Sequence, residues 1–462
     1  MEAVQTARND LTEGGILKKL LSVAVPIMGT QAMTMAYNLT DLFWLGRVGS
    51  DAVAAAGAAG MYLWLSMGFL IIGRIGAEIG VAQSLGRGDK KSALAYSQNS
   101  LLIALVLGLI FGLGVIFFSR PLIGFFNFRE TEIAETAAEY LSITGFIMPL
   151  FFLASVAVGT YNASGNSKTP FILNSIGLVL NVILDPVFIF VLGMGVKGAA
   201  LATVVSQFVS SMLLLGALLS FKDRPFERYM QFFKIEAGKI IRLLKWAVPI
   251  GLESLLFCFL SMATTRIETS FGADVVAVSR VGSQIEALSW LIGGGFGSAM
   301  VAFIGQNHGA NKIDRVHRGV QVSFLAMAIW GSFVTLFLLT LGPVVFAIFL
   351  PVPELIPLGR SYLFIFAFCQ LPMNLEAVGA GAFKGTGRTI PPSLVSIITN
   401  SAKPVTAFIL SRTSMGIYGV WIGITITALI RGVWVCVWYI LSERKAKKKV
   451  SEDSIQTIQT PS

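Results

Sequence analysis

Two aspartates are embedded in strongly apolar stretches of the sequence, and each has a polar residue four positions earlier. Asp41 lies in AYNLTDLFWLG after Tyr37, and Asp185 lies in LNVILDPVFIF after Asn181. Residues four apart share one face of a helix, so each carboxyl group has a polar neighbour one turn away. A charged carboxylate in the middle of a bilayer costs about 2.5 to 3.5 kcal/mol on insertion scales. We interpret the pair as a site that takes up and releases a proton or a sodium ion.

A purely structural role is the alternative, in which Asp41 caps a helix near the membrane interface and Asp185 hydrogen-bonds a kinked backbone. Pro186 follows Asp185 directly and has no N–H, which frees a backbone carbonyl beside the acid, as at ion sites in transporter helices. Oxygen-bearing side chains on other stretches are candidates to complete the site, although such residues also join helices: Ser155, Asn162 and Thr203.

Other polar residues in the apolar stretches admit two interpretations. Arg74 and Glu78 are four apart, so an internal salt bridge is predicted in preference to a transport role. Four residues are candidates to hold a cationic substrate or to belong to a second site: Glu253, Glu376, Asn162 and Gln284. Gln284 is also among the residues predicted to form interhelical pairs, together with Arg266, Glu268, Glu286 and Lys403.

The elements that carry these residues are predicted to be membrane-spanning helices. Of the 462 residues, 55% are hydrophobic and only 13% are charged, and the mean hydropathy is +0.75, which excludes a soluble enzyme. Apolar stretches of about 20 residues, long enough to cross the hydrocarbon as helices, recur about twelve times. The sequence therefore predicts an all-α polytopic membrane protein with spans at 16–42, 53–84, 95–118, 133–160, 168–191, 198–220, 240–268, 278–305, 319–349, 357–381, 393–411 and 416–441.

The formal net charge of +10 is explained by orientation in the membrane. Lys and Arg concentrate at alternate connections between the apolar stretches, for example at Arg87, Lys90 and Lys91 and in the run 444–449. Such residues mark the cytoplasmic side, so we expect a multi-pass protein of the cell membrane with both termini cytoplasmic and no nucleic-acid partner. No Walker A motif occurs in the sequence, so ATP is not the expected energy source, and no cofactor is expected.

The two halves of the sequence are repeats of each other. At an offset near 223, Gln83 aligns with Gln306 and Gly86 with Gly309 without a gap. Similar matches, among them Tyr140 with Tyr362, continue to the start of the sixth stretch. Six spans in each repeat give both halves the same orientation, an arrangement found in transporters. We predict an N-lobe at 1–220, a cytoplasmic linker at 221–239, a C-lobe at 240–441 and a basic, disordered tail at 442–462.

The embedded aspartates are confined to the first repeat. At the repeat offsets, Asp41 corresponds to Thr264 and Asp185 to Ala407. The scaffold therefore tolerates neutral residues at these positions, which favours a functional role for the acids.

Several motifs resemble those of the multidrug and toxic compound extrusion (MATE) family, over nearly the whole chain: YNLTDLFWLGRVG, VAQSLGRGD, GTYNASGNSKTP and LNVILDPVFIFVLGMGVKGAA. The resemblance is to prokaryotic members, and the acids of spans one and five resemble the DinF-like branch. It implies a twelve-helix, two-lobe antiporter that exports organic, often cationic, compounds in exchange for protons or sodium ions.

The resemblance also implies roles for individual residues. The first-lobe cation site of the family would use Asp41 and Asp185 with Asn181 and Thr203, and Tyr37 would lie beside them. The oxygens of Asp41, Asp185, Asn181 and Thr203 would also serve as ligands for Na⁺. Ser155 stands where a related Asn is expected, so coupling to protons and coupling to sodium both stay open. The span-seven acid of another branch would fall near Phe257, one turn beyond Glu253, so Glu253 stays a candidate only.

The sequence thus predicts a secondary active efflux carrier for small organic molecules, embedded in membrane lipid. The main alternative is a flippase of the same superfamily for phospholipids or lipid-linked oligosaccharides, for which an Arg- and Lys-rich cavity is expected. An ion channel would need a continuous polar pore, and an intramembrane protease would need a second acid in a protease-like motif. The sequence shows neither, so no enzymatic activity is expected.

Overall fold

The chain is described by a computed structural model that covers residues 10–128, 130–220, 226, 233 and 235–459. Its α-helices, in chain order, are α1 (Ile16–Val48), α2 (Ser50–Gly86), α3 (Lys90–Phe117), α4 (Ser119–Gly124), α5 (Thr131–Gly145), α6 (Met148–Ala163), α7 (Lys168–Pro186), α8 (Gly195–Ser220), α9 (Ala237–Thr269), α10 (Ala273–Gly309), α11 (Ile313–Phe349), α12 (Ile356–Gly385), α13 (Ile390–Ser411) and α14 (Ile417–Gln459). A π-helical turn, Val187–Val191, follows α7.

Eleven of the helices in the described part are long and apolar enough to cross a membrane, and a twelfth span results if α5 and α6 count as one. This confirms the predicted all-α polytopic fold with about twelve spans. The pair α5 and α6 corresponds to the predicted span 133–160 but is bent by 51°. A straight helix would need Pro149 to donate to the carbonyl of Gly145, which proline cannot do, whereas the first turn of α6 accommodates it.

The C-terminal segment differs from its prediction, and the predicted linker lies largely outside the described residues. The described backbone of residues 442–459 continues α14 as helix, where the sequence led us to expect a disordered tail. Lys, Ala and Glu in SERKAKKKVSED are good helix formers and extend the helix that begins in the preceding span. The predicted linker 221–239 lies largely outside the described residues, and α9 begins within it at Ala237.

The described residues form two compact units whose boundaries differ from those of the sequence repeats. Unit 1 contains the described residues up to Cys258 together with Gly294–Val322 and Lys384–Ile390. Unit 2 contains Phe259–Gly293, Ser323–Phe383 and the described residues from Pro391 onward. The lobes at 1–220 and 240–441 describe the sequence repeat and stay a prediction.

Unit 1 includes parts of both repeats because the ends of α2 and α10 touch backbone to backbone. Gly86, the last residue of α2, lies so close to the carbonyl of Gln306 that no Cβ atom would fit. Gly309, the last residue of α10, lies equally close to the carbonyl of Gln83. The two contacts are reciprocal, since each glycine of one repeat meets the glutamine of the other. The absence of a side chain at both glycines is what permits the approach.

The side chains of the same two glutamines extend this exchange. Gln83 Nε2 donates to the carbonyl of Gly385 at 3.0 Å, and Gln306 Nε2 donates to the carbonyl of Ala163 at 2.7 Å. Both amides are buried, so these bonds satisfy polar groups that have no access to water. The two glutamines and the two glycines therefore connect the repeats, and we call this set of contacts the joint.

The segment that precedes α1 is fixed to the same joint. Leu11 is fully buried, and its N–H donates to Gln306 Oε1 at 3.1 Å. Its carbonyl accepts from Asn307 Nδ2 at 3.1 Å and from the guanidinium of Arg315 at 3.3 Å. The segment is thus held by one apolar anchor and by side chains from α10 and α11.

Replacing Leu11 by alanine is expected to lower the free energy of unfolding of the purified protein. The expected loss is about 1.5 to 3 kcal/mol, because burying a leucine side chain contributes about that much. Leu17→Ala is the matched control, because Leu17 is 44% exposed. Differential scanning fluorimetry in one detergent compares the two variants. Equal melting temperatures would show that the burial of Leu11 contributes nothing.

Candidate cation-binding site

The first acid of the candidate site lies on the buried face of α7. Gly177, Asn181 and Asp185 follow one another at intervals of four, and all three are buried. Gly177 lets α8 approach, because a Cβ atom there would touch Ser210. Asn181 and Asp185 are fully buried, and Asn181 Nδ2 donates to Asp185 Oδ1 at 3.0 Å. The amide thus orients the carboxyl group from one turn away.

The helix changes its geometry directly after this acid. Pro186 has no N–H, so the carbonyl of Val182 loses its usual helical hydrogen bond. The chain continues as the π-helical turn Val187–Val191, in which the N–H of Leu192 donates to the carbonyl of Val187 at 2.9 Å. Asp185 therefore lies at a break in regular helix, as Pro186 in the sequence suggested.

The second acid comes from α1. Tyr37 and Asp41 are one turn apart on this helix, and Asp41 Oδ1 is a buried atom. The carboxyl groups of Asp41 and Asp185 lie within electrostatic range of each other, and both act on the hydroxyl of Tyr37. The structure thus brings the two sequence-predicted acids into one group inside unit 1.

Helices α5 and α8 complete the group. The hydroxyl of Tyr140 lies beside the carboxyl of Asp41, and Tyr140 is 5% exposed. Thr203 of α8 faces Tyr37 and Tyr140, although its hydroxyl makes no hydrogen bond of good geometry. Tyr140 was missed as a site residue, but its match to Tyr362 at the repeat offset was a signal that marked it.

The chemistry of the group is set by its oxygen atoms. Five buried oxygens of this group have no hydrogen-bond partner among the described residues: Tyr37 Oη, Asp41 Oδ1, Asn181 Oδ1, Asp185 Oδ2 and Thr203 Oγ1. Three of them are oxygens of Asp41, Asn181 and Asp185, and an amide oxygen or an ionised carboxylate oxygen can only accept. A buried acceptor is stabilised by a donor or a cation. The set therefore suits a proton carried by a carboxyl group or a small hard cation such as Na⁺.

Two further sequence candidates lie on α6. The hydroxyl of Ser155 donates to the carbonyl of Phe152 at 2.7 Å, so its proton is used within its own helix. Asn162 is 1% exposed, and neither its Nδ2 nor its Oδ1 atom has a hydrogen-bond partner among the described residues. The structure gives no contact that joins either residue to Asp41 or Asp185.

The remaining candidates are spread over both units. Glu253 of α9 belongs to unit 1, and its buried Oε2 atom has no hydrogen-bond partner in the part of the chain described. Gln284 of α10 belongs to unit 2 and is exposed. Arg74 and Glu78 form the salt bridge predicted from their spacing, with Nε and Oε1 3.1 Å apart.

Glu376 lies in an ion pair within unit 2. Arg431 Nε donates to Glu376 Oε2 at 2.8 Å, and both side chains are 15% exposed. The same guanidinium donates from a second nitrogen to Asn400 Oδ1 at 3.0 Å. Glu376 thus joins α12 to α14, and its carboxylate is already compensated by a cation of the protein.

Comparison with known proteins agrees with this architecture. The MatE family model matches residues 26–187 and 249–409, which is more than half of the chain and one match in each repeat. Probable multidrug resistance protein NorM of Thermotoga maritima is 24% identical over 449 residues, covering 96% of each chain. Probable multidrug resistance protein YpnP of Bacillus subtilis is 26% identical over 446 residues, covering 96% of this chain and 99% of the relative. A FAD transporter of Shewanella oneidensis is 23% identical, covering 95% of this chain and 96% of the relative.

Solved structures share the fold over almost the full length. A MATE crystal structure in the bent conformation superposes with a TM-score of 0.90 at 22% identity, covering 96% of this chain and 99% of the other. A MOP superfamily transporter from Pyrococcus furiosus superposes with a TM-score of 0.88 at 22% identity, covering 95% of this chain and 98% of the other. Because the family model matches once in each repeat and covers more than half of the chain, the chain belongs to the MATE family and is a multi-pass membrane transporter.

Proposed function

We propose that this transporter exports organic, often cationic, compounds from the cell in exchange for inward-moving protons or sodium ions. The relatives named as multidrug resistance proteins support the substrate class. The observation that carries the ion coupling is the group of unpartnered oxygens that Asp41 and Asp185 share with Asn181, Thr203 and Tyr37. An ion that enters this group from outside changes its charge, and a carrier with two conformations responds to such a change.

The proposed cycle needs the same site to be reached from either side in turn. Compound enters from the cytoplasm, and a cation that binds at Asp41 and Asp185 from outside favours its release outward. Ion and compound act on one conformational equilibrium, so each changes the affinity for the other. The oxygens of Asn181, Thr203 and Tyr37 would then contact the ion directly.

We further propose the cell membrane as the location, with both termini in the cytoplasm. The basic connections after α2 and α10, which contain Arg87, Lys90 and Lys312, support this orientation. The flippase alternative is not favoured, since the relatives above carry names that refer to multidrug resistance or to FAD. The drug-efflux proposal is therefore the one that experiment should address first.

Ethidium uptake into inverted membrane vesicles under separately imposed proton and sodium gradients tests the proposal, because the cytoplasmic side of the membrane faces outward there. One of the two ion gradients is expected to drive ethidium transport, because the site accepts a proton or a sodium ion. ATP without an ion gradient is expected to drive none. Vesicles that lack the protein supply the control. Transport that is independent of both gradients would contradict ion coupling, and the gradient that works identifies the ion.

A further inference from the structure

Unit 2 contains a buried polar group of its own, centred on Glu286 of α10. Glu286 is 2% exposed, and Gln370 of α12 is fully buried. Gln370 Nε2 donates to Glu286 Oε2 at 3.3 Å. Glu286 lies about 20 Å from the start of α10, a helix about 55 Å long, so the carboxyl group is well inside the span. An acid at this depth calls for a compensating group.

The aromatic ring of Tyr362 covers this acid. The ring crosses α10 at Gly282, one turn before Glu286, where a Cβ atom would not fit. The hydroxyl of Tyr362 lies against the Glu286 carboxyl group. The ring stacks on Phe366 with centroids 4.3 Å apart and meets Trp421 edge-on at 5.1 Å. The site is therefore packed from several helices of unit 2 and is not an isolated acid.

Two oxygens in this group lack a hydrogen-bond donor. Glu286 Oε1 and Gln370 Oε1 are buried without a partner among the residues that the structure describes. An amide oxygen and an ionised carboxylate can only accept, whereas a protonated carboxyl group also donates. Leaving a buried acceptor unpaired is destabilising, and more so when it is charged. A proton on Glu286 removes the charge and supplies a donor.

The surrounding charges act on Glu286 in opposite senses. Glu268 of α9 and Lys403 of α13 both act electrostatically on Glu286, and Arg431 is paired with Glu376. The ionised Glu268 favours a proton on Glu286 and the Lys403 ammonium opposes it; with that proton bound, the Glu268 carboxylate is left with Lys403 as its counter-charge. Lys403 also repels a metal cation, so a proton fits better than Na⁺. The other titratable groups that face Glu286 or Glu268 are Tyr362, Cys369 and Arg280.

This group is not a copy of the aspartate site. At the repeat offset that aligns Tyr140 with Tyr362, Asn181 aligns with Lys403 and Asp185 with Ala407. The second repeat thus has a cation and a methyl group where the first has an amide and an acid. Its carboxyl group comes instead from α10. The tyrosine is retained in both, and in both it lies beside an acid.

We propose that Glu286 is a second proton-binding site, which loads and releases one proton inside unit 2, separately from Asp41 and Asp185. Gln370 and Tyr362 hold its carboxyl group, and Lys403 acts as the fixed counter-charge. The proposal goes beyond the efflux function and does not depend on it, since proton binding at Glu286 can be measured without transport.

Infrared difference spectroscopy of the full chain in lipid nanodiscs tests the proposal. Spectra are recorded during a pH titration of the variant Asp41→Asn with Asp185→Asn, which removes the carboxyl groups of the first site. We expect a pH-dependent C=O stretching band of a buried carboxylic acid to remain. Adding Glu286→Gln, which keeps the shape of the side chain, should abolish that band. Adding Tyr362→Phe should retain the band and move it to higher wavenumber, because the carboxyl group loses a hydrogen bond.

The matched control is Glu354→Gln, which changes an exposed acid of the same unit and should leave the band intact. A band that survives Glu286→Gln, or one that is absent before that change is made, would overturn the proposal. A signal that responds only to added sodium would overturn it as well. Loss of ethidium transport is not a readout here, so a failure of the efflux proposal would leave this result unaffected.

Discussion

Replacing Asp185 by asparagine is expected to abolish ion-driven efflux while the protein still inserts and folds. The change keeps the size of the side chain but removes the group that can exchange a proton or bind a cation at neutral pH. Asp185 is fully buried and already receives a hydrogen bond from Asn181, so an amide can be accommodated there. Ethidium efflux from cells and ethidium uptake into inverted vesicles, each normalised to the amount of protein in the membrane, are the measurements.

Asp41→Asn is expected to give the same loss, because the two carboxyl groups lie within electrostatic range of each other and belong to the same proposed site. Glu139→Gln is the control, since Glu139 is an exposed residue of α5 that pairs with Lys197 at 2.9 Å. That variant should transport like the unmodified protein. Normal efflux in both aspartate variants would refute the assignment of the coupling site.

The two acids could be found from the sequence because membrane burial makes them exceptional. An ionised side chain in an apolar stretch stands out whatever the tertiary structure is, and the polar residues one turn earlier point to a shared helix face. Tyr140 could not be found in this way, because tyrosine is common near membrane interfaces and its hydroxyl reaches Asp41 only through the packing of α5. Ser155 shows why a hydroxyl is a weaker signal, since a hydroxyl that suits an ion also suits its own helix backbone.

The spans were predictable for a similar reason, and their irregularities were not. An apolar length of about 20 residues specifies a crossing helix without reference to its neighbours. The 51° bend between α5 and α6 and the π-helical turn after Pro186 depend on how freed backbone groups are satisfied locally. The extension of α14 to Gln459 depends on the helix propensity of residues beyond the membrane, and a hydropathy pattern does not measure that propensity.

The repeat alignment pairs Gln83 with Gln306 and Gly86 with Gly309, but it does not predict that each glycine touches the glutamine of the other repeat. Sequence symmetry is equally compatible with two sites far apart and with one joint between the repeats. The structure shows the joint, in which Gly86 meets Gln306 and Gly309 meets Gln83. It follows that the compact units differ from the sequence repeats, because the joint binds the end of α10 to unit 1.

Adding one methyl group at this joint is therefore expected to have a large effect. Gly309→Ala places a Cβ atom against the backbone carbonyl of Gln83, and a backbone in the middle of packed helices cannot move aside as a flexible side chain can. Overpacking costs about 1 to 3 kcal/mol, and a backbone obstacle places this variant at the upper end of that range. The double variant Gly86→Ala with Gly309→Ala is expected to prevent folded protein from accumulating in the membrane, because both reciprocal contacts are lost.

The control for this prediction lies on α2 itself. Gly60 has no atom within 4 Å of the place where its Cβ would be, so Gly60→Ala should be neutral or should stabilise the helix by up to about 1 kcal/mol. Thermal unfolding of the purified variants, with membrane abundance as a second measurement, compares the two glycines. If Gly309→Ala unfolds at the same temperature as Gly60→Ala, the end of α10 moves away from Gln83 at little cost, and the joint does not hold the repeats together.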